Sequence, residues 1–156
     1  MNLPYAAEAD AELSVAELEV LEEAYTRASQ SHVKIPIQIK FNYAWGLVRS
    51  RFRADQERGV SMFKEIMQDE GPERRRECMY YLALGYYRLG EYGLSRRYNQ
   101  ELLDAEPGNM QALSLQQLIH ERVNREGLVG MALLGLVGGV VAVGGYAFAA
   151  VLKRKK

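Results

Sequence analysis

From Leu128 to Leu152 the chain runs 25 residues without a charge, LVGMALLGLVGGVVAVGGYAFAAVL. A helix needs roughly 20 residues to cross a bilayer core, so this run predicts a transmembrane helix. Only Lys153, Arg154, Lys155 and Lys156 follow it. The expectation is a tail anchor, inserted after synthesis, with the N-terminal part in the cytosol. Folding is then confined to roughly 126 upstream residues, enough for one compact domain with its own core.

The run is diluted by Gly130, Gly135, Gly138, Gly139, Gly144 and Gly145 and ends in four basic residues. A modest anchor with a strongly basic end is typical of outer mitochondrial and peroxisomal tails, which makes residues 153–156 the candidate targeting signal. Lysines also snorkel to headgroups at any membrane. Gly135 and Gly139 form a GxxxG pair that can bring two anchors together, a route to a homo-oligomer.

All 20 acidic residues precede the tail, against 16 of the 20 basic ones, leaving the cytosolic part near −4. That balance argues against nucleic acid as a partner. The single cysteine, Cys78, sits in an apolar helical pattern and fits a packing role in a reducing compartment. Residues 1–12 have neither a basic start nor an apolar run, so no secretory signal is expected there. His32 and His120 lack acidic or cysteine companions at ligand spacing, and neither GxxxxGK nor CxxC occurs. No enzyme activity, cofactor or metal is expected.

The chain opens with an arm, residues 1–13, containing Pro4 and Tyr5 and no helical period. Ser14 and Glu17 form a capping box, Leu13 can staple onto Leu18, and Leu18, Leu21, Tyr25 and Ala28 recur at helical spacing. Pro36 suits the first position of a second helix bearing Ile39, Phe41, Tyr43, Trp45, Leu47 and Val48. It is apolar on more than one face, so it is either buried all round or offers a face to a partner. A third helix starts at Asp55, with Val60, Phe63, Ile66 and Met67 inward. A fourth runs from Pro72 to Leu89. A fifth carries Tyr92, Leu94, Tyr98 and Leu102 and stops before Pro107. Asn109 caps a sixth, whose Leu113, Leu118, Ile119 and Val123 recur roughly every three to five residues, before the membrane segment begins at Gly127.

Two of these helix pairs read as repeats. The tetratricopeptide pattern is matched by Met79, Leu82, Ala83, Tyr86, Gly90, Ser95 and Pro107. Ala83 and Ser95 are small where the two helices must approach. The earlier pair is more degenerate, with Tyr43, Ala44 and Leu47, then Gly59, Phe63 and Pro72, about 39 residues upstream of its counterpart. The fold class that follows is all-α: a six-helix tetratricopeptide-like bundle, two central repeats with a flanking helix at each end, and a C-terminal transmembrane helix. Its parts are the arm 1–13, the cytosolic helical domain 14–126, the anchor 127–152 and the basic end 153–156.

FNYAWGLVRS at Phe41–Ser50, RRECMYYLALGYYRLGEY at Arg75–Tyr92 and the glycine-rich tail with its basic end resemble the mitochondrial fission 1 family, its fungal forms in particular. The resemblance implies a tail-anchored adaptor of the outer mitochondrial membrane, also found on peroxisomes. Its implied role is to recruit a dynamin-like GTPase for organelle fission, through a fission adaptor protein with a helical N-terminal region. The N-terminal arm matches least well.

In a tetratricopeptide fold the first helix of each repeat lines the concave surface. The corresponding residues are Gln38, Phe41, Trp45 and Val48, then Glu77, Tyr80, Leu84 and Tyr87. This row suits the amphipathic helix of a partner, with aromatic anchors. The alternative, a chaperone or import co-receptor, would need Lys, Arg and Asn at these positions to clamp a carboxylate. Leu3, Pro4 and Tyr5 are candidate arm contacts, and the acidic run at residues 8–23 could meet the arginines at 49–53 and 74–76.

Overall fold

The computed structural model describes residues 11–31, 33–69 and 71–127. The run expected to cross the membrane, the expected targeting residues Lys153, Arg154, Lys155 and Lys156, the expected arm contacts Leu3, Pro4 and Tyr5, and His32 all lie outside the described residues. Among the described residues no helix is long and apolar enough to cross a membrane.

Two units partition the chain, residues 1–119 and residues 120–156. In the first, α1 spans Val15–Gln30, α2 Ile37–Val48, α3 Arg53–Asp69, α4 Pro72–Arg88 and α5 Tyr92–Ala105. Residues 110–119 are also helical and are called α6. In the second unit, residues 120–127 are helical, with an Asn124–His120 side-chain bond of 2.9 Å.

Local chemistry sets the boundaries. The Ser14 hydroxyl accepts from the Glu17 amide at 3.3 Å, and the Glu17 carboxylate accepts from the Ser14 amide at 3.0 Å, completing the expected capping box. The hydrogen bond from the Ser14 side chain, joined by the one from its backbone, holds the Glu17 carboxyl below its usual value. Pro36 caps α2 from just outside rather than occupying its first turn, and α3 starts at Arg53, two residues before Asp55. Gly90 ends α4 in the left-handed region at φ 78°, and the Glu91 amide returns to the Tyr86 carbonyl at 2.9 Å. The Asn109 side chain caps α6 by accepting from the Ala112 amide at 3.0 Å.

Consecutive helices pack in antiparallel fashion, and small residues mark the crossings. A Cβ on Gly59 would stand 2.9 Å from the Ala44 carbonyl oxygen and from the Val48 nitrogen, so only glycine lets α3 lie this close to α2. In the second pair the Ser95 hydroxyl donates to the Ala83 carbonyl at 2.6 Å, and both residues are fully buried.

Two leucines of the helical patterns face outward. Leu94 is 40% exposed, and α5 turns Ser95, Asn99, Leu102 and Leu103 inward instead. Leu113 is likewise exposed, with Ala112, Leu115 and Ile119 buried on α6. The cause is the same in both helices. A small or polar side chain, Ser95 or Ala112, takes the close contact, which rotates the neighbouring leucine outward.

A candidate partner-binding face

α2 and α4 are the first helices of the two pairs, and they touch one another as well as their own partners. Of the row expected to line an open groove, Gln38 is exposed and Trp45 and Glu77 are half-buried, but Phe41, Val48, Tyr80, Leu84 and Tyr87 are buried. Phe41 meets Phe63 of α3 edge-on at 5.1 Å. Val48 fills the space beside Gly59 and Gly85, between α3 and α4. Leu84 is as fully buried as Leu82. Leu84, expected on the groove, is therefore covered: α4 contacts α3, α5 and α2, and every residue from Tyr80 to Tyr87 is buried.

Across the two helices the exposed Gln38 and the half-buried Trp45, Arg49, Arg74 and Glu77 form a polar strip tied to the buried Phe41 and Tyr81. At one end Arg74 pairs with Glu77 at 2.7 Å, reaches Gln38 Oε1 at 3.4 Å and lies over the Phe41 ring at 5.0 Å. Gln38 in turn donates to Asn42 at 2.7 Å. In the middle Tyr81 stacks on Phe63 at 5.4 Å and meets Phe41 at 5.7 Å. Burial pushes the Tyr81 hydroxyl up to about 12, with Glu77 adding to the effect and a hydrogen bond from Trp45 opposing it. At the far end the Arg49 guanidinium covers Trp45 at 4.5 Å.

Arg49 also holds the root of the arm. Its Nε donates to the Ala11 carbonyl at 2.9 Å, and its own carbonyl accepts from the Leu13 amide at 3.0 Å. Burial, with repulsion from Arg88, lowers the Arg49 pKa. Sequence reasoning missed Arg49, Arg74 and Tyr81 as members of this face. The spacing held a signal for two of them, since Arg74 and Tyr81 stand three before and four after Glu77, on the same helical stripe.

On the other side of α2, Tyr43 donates to Glu22 at 2.9 Å, accepts from Arg58 at 3.0 Å and stacks on Tyr25 at 4.9 Å. This joins α1, α2 and α3. Among the described residues no group of three or more histidines, cysteines or carboxylates is placed to hold a metal.

Paired antiparallel helices with small residues at the crossings define a helical-repeat scaffold. The Fis1 N-terminal tetratricopeptide repeat matches residues 38–70, and the Fis1 C-terminal tetratricopeptide repeat matches residues 76–128. The mitochondrial fission 1 protein of Mycosarcoma maydis is 50% identical over 99% of this chain and 98% of its own, and that of Gibberella zeae is 51% identical over 92% of each. Yeast Fis1 solved in complex with an Mdv1 fragment superposes with a TM-score of 0.71 at 34% identity, covering 80% of this chain and 96% of that one. Yeast Fis1 complexed with a Caf4 fragment gives 0.54 at 38% identity, covering 62% and 96%. The chain belongs to the mitochondrial fission 1 family.

Proposed function

We propose that this protein is a membrane-anchored adaptor that recruits the division machinery to the outer mitochondrial membrane, and to peroxisomes, for organelle fission. It would bind a fission adaptor of the Mdv1 and Caf4 kind through an amphipathic helix, and through that adaptor a dynamin-like GTPase. In this reading residues 1–13 are an arm, 14–126 the cytosolic domain, 127–152 a single-pass anchor and 153–156 the basic targeting end.

The observation that carries the reading is the likeness of this chain to yeast Fis1 solved with adaptor fragments. The binding face would use the accessible Gln38, Trp45 and Glu77, backed by the buried Phe41, Val48, Tyr80, Leu84 and Tyr87. The expected adaptor helix would lay apolar side chains over Trp45 and polar ones against the Arg74–Glu77 pair. The test is complementation. Cells lacking their fission 1 protein, given this full chain, should recover GTPase foci on mitochondria and a fragmented network. The Trp45→Ala chain should stay on the membrane without collecting foci. Foci that form equally well with Trp45→Ala would remove this face from the account.

A further inference from the structure

The turn between α2 and α3 reads Arg49, Ser50, Arg51, Phe52, Arg53, three arginines and an aromatic with no carboxylate. Phe52 is 50% exposed, and the Arg51 guanidinium lies over its ring at 4.8 Å. The turn is held rigidly from behind. Arg53 donates to the Leu89 carbonyl at 3.1 Å, Arg88 donates to the Ser50 carbonyl at 3.2 Å, and Gln56 donates to the same carbonyl at 2.8 Å. These bonds place the α2–α3 and α4–α5 turns at one end of the array.

The chain leaves the first unit at that same end. Asn99 of α5 donates to the Ala112 carbonyl of α6 at 2.9 Å, across an antiparallel pair closed by the Glu106–Asn109 turn. Ile119 stands seven residues beyond Ala112, and Tyr92, the first residue of α5, seven before Asn99, so Ile119 is level with the start of α5. The charge-free run begins at Leu128, and even a fully extended connection from Ile119 reaches only about 30 Å.

The geometry points to the Arg51–Phe52–Arg53 turn as a lipid contact, with Phe52 entering the interface of the membrane that holds the anchor and Arg51 meeting anionic headgroups. This rests on the tail-anchor reading above. An aromatic ring bracketed by arginines matches the boundary between acyl chain and charged headgroup. The short tether keeps that boundary at high effective concentration. Phe52 also edges a cleft lined by Leu13, Val15 and Leu18 and by the carboxylates Glu19, Glu22 and Asp55, so a protein helix, including one from a second copy, is the competing occupant.

The test uses the full chain reconstituted into vesicles with an environment-sensitive dye on Ala54→Cys, beside the turn. The comparison is the same dye on Gly71→Cys, where a side chain meets open space. The native Cys78 is buried and stays unlabelled. In vesicles with about one-fifth anionic lipid, brominated lipid should quench the Ala54 probe but not the Gly71 probe. The quenching should fall about fivefold with Arg51→Ser and be lost with Phe52→Ser. An inserted chain whose two probes are equally unquenched overturns the lipid contact alone. A probe response that follows protein density and ignores lipid charge assigns the turn to contact between copies and overturns it too. A chain that alkaline carbonate strips from the vesicles defeats the anchor reading, and the lipid contact with it.

Discussion

The hydroxyl of Ser95 donates to the carbonyl oxygen of Ala83 at 2.6 Å, in a place where neither side chain touches solvent. This bond stitches α4 to α5 at their crossing. It satisfies a serine that burial would otherwise penalise, and it requires the two backbones to be in near contact. The Ala44–Gly59 crossing in the first pair achieves the same closeness with no side chain at all.

Gly59→Ala should therefore lower stability by about 1–3 kcal/mol, because the new methyl meets backbone atoms that cannot rotate away. Gly93→Ala, where nothing lies within 4 Å of the added carbon, is the control and should leave the melting midpoint nearly unchanged or slightly raised. Thermal or urea unfolding of the two variants decides the matter, and equal midpoints would mean that α3 can slide away from α2.

Leu82→Ala and Leu84→Ala should cost similar amounts, about 2–5 kcal/mol each, since both side chains are fully buried. Adaptor binding is better probed at Trp45, whose replacement by alanine should weaken a helical adaptor fragment by roughly 1–3 kcal/mol. Calorimetric titration on the folded fraction separates the two effects. An Leu84→Ala protein of unchanged stability would restore Leu84 to the binding surface.

Alkaline pH should destabilise the domain through Tyr81. Its folded pKa of about 12 lies above the ordinary value of 10.0, so its contribution is complete below pH 10 and is lost as the pH rises toward 12. Two units correspond to about 2–3 kcal/mol. Tyr81→Phe should flatten that part of the stability profile, as read by denaturant midpoints from pH 9 to 12. Tyr43, raised to about 12 chiefly by burial and then by its bond to Glu22, should add a second increment over the same range.

Removing residues 1–12 should tighten binding of an adaptor fragment, on the reading that the arm competes for the strip its root adjoins. Weaker binding after truncation would make the arm part of the binding surface. Unchanged affinity would give it no part in binding.

In the tail, Val137→Asp should release the protein from membranes, since a charge at mid-bilayer costs about 2.5–3.5 kcal/mol on insertion scales. Fractionation checks this, and persistent membrane association would defeat the anchor. Replacing Lys153, Arg154, Lys155 and Lys156 with serine should divert part of the population to the endoplasmic reticulum, visible with a fluorescent fusion. Unaltered targeting would leave the modest hydrophobicity of the run as the signal.

The capping box at Ser14, the stop at Gly90 and the small residues at both crossings were legible because each rests on a local rule that a few residues satisfy. The inward faces of α3 and α5 were not fully legible, because Gln56 on the one and Asn99 on the other are buried polar residues. Both make their bonds to backbone carbonyls, at Ala112 and Ser50, which leaves no hydrophobic trace in the sequence. The binding row was misjudged for a related reason. Period alone shows that α4 is apolar all round, and only the packing of three neighbours shows that Tyr80, Leu84 and Tyr87 are already covered.

The root of the arm is fastened at Arg49, and the first unit ends at Ile119 beside the same set of turns. Mechanical load between the two would therefore enter and leave at one end of the helical stack rather than run along it. Such a pull peels helices from the outside one contact at a time, beginning with α1, in which no residue is fully buried. If the tail anchors the chain as proposed, tension on it would open α1 first and leave the tightly crossed α2–α3 and α4–α5 pairs as the unit that resists.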